Sequence, residues 1–213
     1  MNLDFNELQN GSEINEVDIS KLEQSCFIDL SEEMPHPEIL LSIGQHEYKG
    51  NYYPTPVMTA GEFSAIVATS KSKKTFLKSA FLASYIGGQT SILFPNIKSH
   101  RDKEYTILDF DTEQGKYYTQ RTFRRVIEMV GASTENYKGY ATRHLSSRER
   151  LLLIDFCLKN QQRYKHQVKL IAIDGIADLV ENTNDILMSK EESDYIMKWK
   201  YEYNINIIAI INK

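Results

Sequence analysis

From Gly61 to the end of the chain, short apolar runs that end in polar or charged residues alternate with longer segments of helical spacing. That alternation restricts the fold more than any other feature, because a strand that is apolar on both faces must be covered on both sides. Helices serving as crossovers between parallel strands provide that cover. The spacing predicts strands at Phe63 to Ala68, Tyr105 to Phe110, Gly139 to His144, Val168 to Ile173 and Asn206 to Ile211. Helices are expected at Lys74 to Ile86, Tyr117 to Val130, Ser147 to Tyr164 and Asp185 to Tyr203. In the second of these Phe123, Val126, Ile127 and Val130 share a face, and in the third Leu152, Leu153, Phe156 and Cys157 are expected inside. In the fourth, Ile196, Trp199 and Tyr203 do the same. The fold class is therefore α/β, a mostly parallel sheet flanked by helices.

The first sixty residues differ in character. Met1 to Glu38 holds ten acids against the single Lys21, so the remainder is mildly basic within a net charge of −4. This segment reads as an acidic arm, with a weak helix around "EVDISKLEQ" capped by Asp18 or Ser20. Short strands are expected at "SCFIDL" and "EILLSIGQHEY", and a loop at "YKGNYYPTP", whose prolines forbid a helix. The division is thus residues 1–60 as arm and 61–213 as core. Cys26 and Cys157 have no metal-ligand or redox spacing and lie among apolar neighbours, so both are expected to be reduced core residues. No apolar run approaches the ~20 residues of a membrane span, and the first residues lack a signal-peptide core, so a cytoplasmic location is expected.

The chemistry gathers at strand ends. "SAIVATSKSKKTFLKSAFLASYIGG" runs a strand into a lysine-rich loop and then a helix. A triphosphate site needs inward backbone N–H groups at a helix start, a lysine and a metal-binding hydroxyl, as in the pattern G-x-x-x-x-G-K-[ST]. The octet "ATSKSKKT" aligns Lys74 and Thr75 with the lysine and the hydroxyl, while Ala68 and Lys73 stand at the glycine positions. Each replacement of glycine in a strained loop costs ~1 kcal/mol or more. The three cations Lys71, Lys73 and Lys74 at a helix start call for a compensating anion. A basic surface turn is the alternative.

Next, "YTILDFDTEQGKYYTQRTFRRV" ends a strand in Asp109, Asp111 and Glu113, which alternate onto one side or continue into the turn. A carboxylate there could orient water toward a γ-phosphate; capping by Asp111 or Thr112 is the alternative. "VKLIAIDGIADL" presents Asp174 at a strand's carboxyl end, where Mg²⁺-organising aspartates stand. "INIIAIINK" ends in Asn212 and Lys213. In a parallel sheet all four tips share one edge.

On "GEFSAIVATSKSKKTF", "ILDFDTEQGKYYTQRTFRRV", "LIAIDGIADLV" and "INIIAIINK" the chain resembles the RecA-like P-loop ATPases. More narrowly, it is similar to the AAA-type, RepA-helicase-like ATPases of mobile elements and plasmids of Bacteroidetes-type bacteria, in which the loop often reads K-S-[RK]-K-T. The resemblance covers Gly61 to Lys213. It implies ATP and Mg²⁺ as ligands, with nucleotide contacts from Thr69, Ser70, Lys71, Ser72, Lys73, Lys74, Thr75 and Phe76. Lys74 would reach the β/γ-phosphates, Thr75 and Asp174 would hold Mg²⁺, and Glu113 would polarise the attacking water. Asn212 or Lys213 would sense the γ-phosphate, and Tyr117 or Tyr118 would stack on adenine unless, as is usual at helical spacing, they are core. A RecA-like chain continues into further strands and a DNA-contacting loop, so this one is expected to be C-terminally truncated. The implied function is ATP hydrolysis by a helicase-like ring acting on single-stranded or plasmid DNA in replication or mobilisation. A non-catalytic nucleotide-dependent interaction module is the rival; a P-loop small-molecule kinase is disfavoured by the lack of an arginine-rich lid.

Overall fold

In the computed structural model, residues 18–69, 72–89, 93–179 and 186–212 are described. The chain divides into two compact units, Met1–His36 and Pro37–Lys213. The first holds helix α1 (Ile19–Cys26), whose N-terminus is capped by the Asp18 carboxylate accepting from the N–H groups of Ser20 and Lys21. Residues 25 and 26 of the expected strand "SCFIDL" belong to this helix and 27–30 form no strand. Cys26 is exposed, against the expectation of a core position, whereas Cys157 is buried.

The second unit begins with a hairpin, β1 (Ile39–Tyr48) and β2 (Asn51–Thr59), turned at Lys49 and Gly50, both at positive φ. "YKGNYYPTP" is therefore strand and tight turn, not loop. Its prolines are tolerated because β2 is the outer strand of a three-stranded sheet ordered β2-β1-β4, with β4 at Ile97–Ser99, so missing N–H groups break no inner ladder.

The main sheet is all-parallel: β3 (Phe63–Ala68), β5 (Thr106–Asp111), β6 (Tyr137–Ala141), β7 (Val168–Asp174) and β8 (Asn206–Asn212), ordered β3-β8-β7-β5-β6. Between them run α2 (Lys74–Gly87), α3 (Lys116–Glu128), α4 (Ser147–Lys159) and α5 (Ile186–Glu202). Strand β6 starts two residues earlier than its spacing suggests and ends at Ala141, beyond which Thr142 to Leu145 form a turn that brings Ser146 to the α4 N-cap.

Right-handed crossovers fix which face each helix covers. The chain steps outward from β3 to β5 to β6, then back through β7 to β8, so α2 and α3 lie on one face and α4 and α5 on the other. Two core clusters match that division. Leu82, Tyr85, Val126, Ile107, Leu170 and Ile208 pack on the α2/α3 side, and Leu108, Phe110, Ile154, Leu158, Ile171 and Trp199 on the α4/α5 side. Within α4 the buried residues are Leu151, Ile154, Asp155, Cys157 and Leu158; Cys157 is inside and Leu153 partly so, as expected, while Leu152 and Phe156 are exposed.

The outward and returning halves meet between adjacent strands β5 and β7, whose following helices leave to opposite sides. In such sheets the crevice at the strands' carboxyl ends is the ligand position.

Candidate functional site at the carboxyl edge of the sheet

Helix α2 begins abruptly after β3. Lys73, its N-cap, has φ +62°, the left-handed conformation that glycine enters freely and other residues resist. This is the second glycine position of the phosphate-loop pattern, so the backbone takes the turn that the missing glycine would have eased. Lys74 then folds back over its own loop. It is 8% exposed, and its Nζ donates to the carbonyls of Ala68 (2.7 Å) and Thr69 (3.0 Å). The Thr75 hydroxyl has no hydrogen-bond partner among the described residues, and its carbonyl accepts from the Ser79 hydroxyl. Ser72 and Phe76 are exposed, with Arg125 stacked over the Phe76 ring. Ser70, Lys71 and Lys213 lie outside the described residues, and Asn212 is described only as the end of β8, where it pairs with Ala68.

One helical turn beyond Lys74, Lys78 is fully buried. Its Nζ lies 2.8 Å from Asp109 Oδ1 on β5 and 3.3 Å from Asp174 Oδ2 on β7. The second oxygen of Asp109 accepts from the Tyr137 hydroxyl of β6. The contact with Asp174 is one of charge: Asp174 Oδ2 has no aligned hydrogen bond, and neither has Asp111 Oδ2. Asp111 and Asp174 are direct partners in the β5/β7 ladder. Alternation along β5 puts Asp109 and Asp111 on one side, as expected from the sequence; that side faces α2, and Glu113 lies beyond the strand in the turn.

Burial alone would push the Lys78 ammonium down, but Asp109 and Asp174, with Asp111 behind them, hold it above the ordinary lysine value. Asp109 is also raised, burial outweighing the pull of Lys78 and of the Tyr137 hydroxyl. Burial and the Asp109 carboxylate raise Tyr137 as well. Burial is the largest cause for Asp109 and Tyr137, whereas for Lys78 the surrounding carboxylates overcome burial.

The turns after the two strands are tied together. Asp111 Oδ1 accepts from the N–H groups of Glu113 and Gln114, so this carboxylate caps the turn and not α3, whose N-cap is Gly115. The Thr112 N–H donates to the Asp174 carbonyl, and its hydroxyl sits 2.6 Å from Asp178 Oδ2. Gly175, at φ +92°, allows this closeness. A Cβ there would stand 2.2 Å from Thr112 Oγ1 and 3.1 Å from Glu113 Cγ. Glu113 is thus exposed in the turn beside the residue that follows Asp174. Arg150, from α4, donates to the carbonyls of Thr142 and Asp178 and so joins the turns after β6 and β7. Tyr117 and Tyr118 are 66% and 62% exposed, so the expectation that such aromatics are core does not hold.

Asp111 and Asp174 offer hard oxygen donors that lack hydrogen bonds, and Thr75 offers a hydroxyl. The described residues hold no cluster of three or more His, Cys, Asp or Glu able to bind a metal unaided. That donor set suits Mg²⁺, which takes one or two carboxylates and completes its shell with water and phosphate. Lys78, Tyr137 and the free oxygen of Asp111 were missed from the sequence; a lysine in a helix otherwise apolar on nearly all sides was the available signal for the first. Among the described residues no helix is long and apolar enough to cross a membrane. No family model matches the chain, and no curated protein matches it.

Proposed function

We propose that the protein is a RecA-like P-loop ATPase that binds Mg·ATP at the carboxyl edge of its parallel sheet. The observation that carries this reading is the reach of Lys78 to Asp174. Because Lys78 is one turn beyond Lys74 on α2, that contact sets the first turns of the lysine-loop helix over the aspartate that would organise the metal. With the Lys78–Asp109 contact, three sequence-distant elements, α2, β5 and β7, come to one place, as a triphosphate site requires.

In this reading Lys74 turns from the Ala68 and Thr69 carbonyls to phosphate oxygens, with which an ammonium makes charge-assisted hydrogen bonds. The start of α2 contributes its N–H groups and positive dipole end. Thr75 and Asp174 hold Mg²⁺, with Asp111 alongside. When bound, Mg²⁺ supplies neutralisation of the charge on the β- and γ-phosphate oxygens. Glu113, solvent-facing beside Gly175, accepts a hydrogen bond from the attacking water and orients it. Tyr117 or Tyr118 offers an exposed ring for the adenine. Action on DNA in replication or mobilisation of an element, and assembly into a ring, rest on the sequence resemblance.

The test is phosphate release with ATP and Mg²⁺, run beside ATP binding. Wild type should do both, Glu113→Gln should bind and lose turnover by about 100-fold or more, and Lys74→Ala should lose both. Tight ATP binding by wild type without turnover would replace the enzyme with a nucleotide-dependent interaction module.

A further inference from the structure

Asp109, Asp111 and Asp174 bring three buried carboxylates to one face of two neighbouring strands, and Lys78 meets them from α2. Its two contacts differ in kind. Toward Asp109 it makes an aligned hydrogen bond, and Tyr137 holds the other oxygen, so that carboxylate is fully committed. Toward Asp174 the ammonium is close but misaligned, and Asp174 Oδ2 and Asp111 Oδ2 are left bare. Bare buried carboxylate oxygens are costly, and one ammonium leaves three carboxylates undercompensated. A second cation at Asp111 and Asp174 would lower the energy of this cluster without disturbing Asp109.

We infer that Lys78 is a built-in counter-cation that competes with the divalent cation for Asp174 and thereby sets how tightly the site binds it. The inference rests on the proposed reading of Asp174 as a metal-holding residue. Without metal, Lys78, anchored on Asp109, lends half-compensation to Asp174. With metal present, it keeps Asp109 and yields Asp174, whose oxygen cannot serve an ammonium 3.3 Å away and a dication equally well. Lys78 is a positioning residue here, since it touches the ligand-bearing carboxylate and not the substrate.

A purely structural lysine gives the opposite sign. Removing it would loosen Asp174 and weaken metal binding, whereas removing a competing cation strengthens it. The full chain is melted while Mg²⁺ alone is titrated from an EDTA baseline. Lys78→Met should melt lower than wild type in EDTA, and Mg²⁺ should raise its melting temperature with a midpoint about 10-fold lower than the wild-type midpoint. Should Lys78→Met fail to fold, Lys78→Met/Asp109→Asn removes the anchoring pair together and should still bind Mg²⁺ more tightly than wild type. A midpoint equal to or above wild type in the folded variant, or no Mg²⁺ response in any of the proteins, overturns the inference. ATP binding is measured on the same samples. A lowered Mg²⁺ midpoint without ATP binding by wild type would retain the counter-cation and discard the ATPase.

Discussion

Lys73 holds a left-handed conformation where the phosphate-loop pattern has glycine. Relieving a side chain of that conformation is worth about 1 kcal/mol, so Lys73→Gly should be more stable to urea than Lys73→Ala by about that amount. Equal stabilities would mean the loop carries no such strain. Glu113, by contrast, is an exposed turn residue. Its replacement by glutamine keeps the size and shape of the side chain and removes only its charge, which makes it a probe of turnover. At this scale the sequence named the residues at the strand tips but not their partners. Lys74, Asp109, Asp111 and Asp174 were legible because strand ends are marked by a change from apolar to charged residues. Lys78 and Tyr137 were not, since each reaches Asp109 from another element, and only the folded arrangement brings them together.

At the level of elements there are two close approaches, and the second carries a prediction. Gly139 of β6 lies under the Phe123 ring of α3, where a Cβ would come within 2.1 Å of Phe123 Cδ2, and Gly175 is closed by Thr112. Gly175→Ala meets both a positive φ and a buried hydrogen-bonded hydroxyl, so it should cost about 2–3 kcal/mol in chemical denaturation. Helices α4 and α5 are joined through Asp155, which accepts from Trp199 Nε1 (3.1 Å) and pairs with Lys159 (2.6 Å). Burial raises the Asp155 carboxyl, but hydrogen bonds from Lys159 and Trp199 outweigh it and hold the group below the usual aspartate value. A depressed carboxyl stabilises the fold above its unfolded value of about 4, and that contribution fades as pH falls through the folded value. Asp155→Asn should therefore lose stability at neutral pH and show a shallower loss than wild type as pH falls below about 4. A parallel acid limb would show the carboxylate to be uninvolved. The face of α4 was misread because "LLLIDFCL" is apolar on two overlapping stripes, and periodicity cannot choose between them. The sheet chose Leu151, Ile154 and Leu158, and Arg163 stacks over the exposed Phe156.

For the molecule as a whole, the alternation of apolar strands and helices was enough to read an α/β fold with a parallel sheet, because covering two-faced strands leaves few arrangements. The strand order was not legible. It depends on which neighbours a crossover skips, and α2 with β4 carries the chain from β3 past two positions to β5. That order is what sets Asp111 beside Asp174, with Lys78 above them, at the point where the helices leave to opposite faces. Calorimetric titration of ATP with Mg²⁺ into wild type, Lys74→Ala and Asp174→Asn decides whether this place holds a triphosphate. Saturable one-site binding by wild type, lost in Lys74→Ala and dependent on Mg²⁺ only while Asp174 is present, is the predicted result. Binding of equal strength in wild type and Lys74→Ala, or none in wild type, would contradict it.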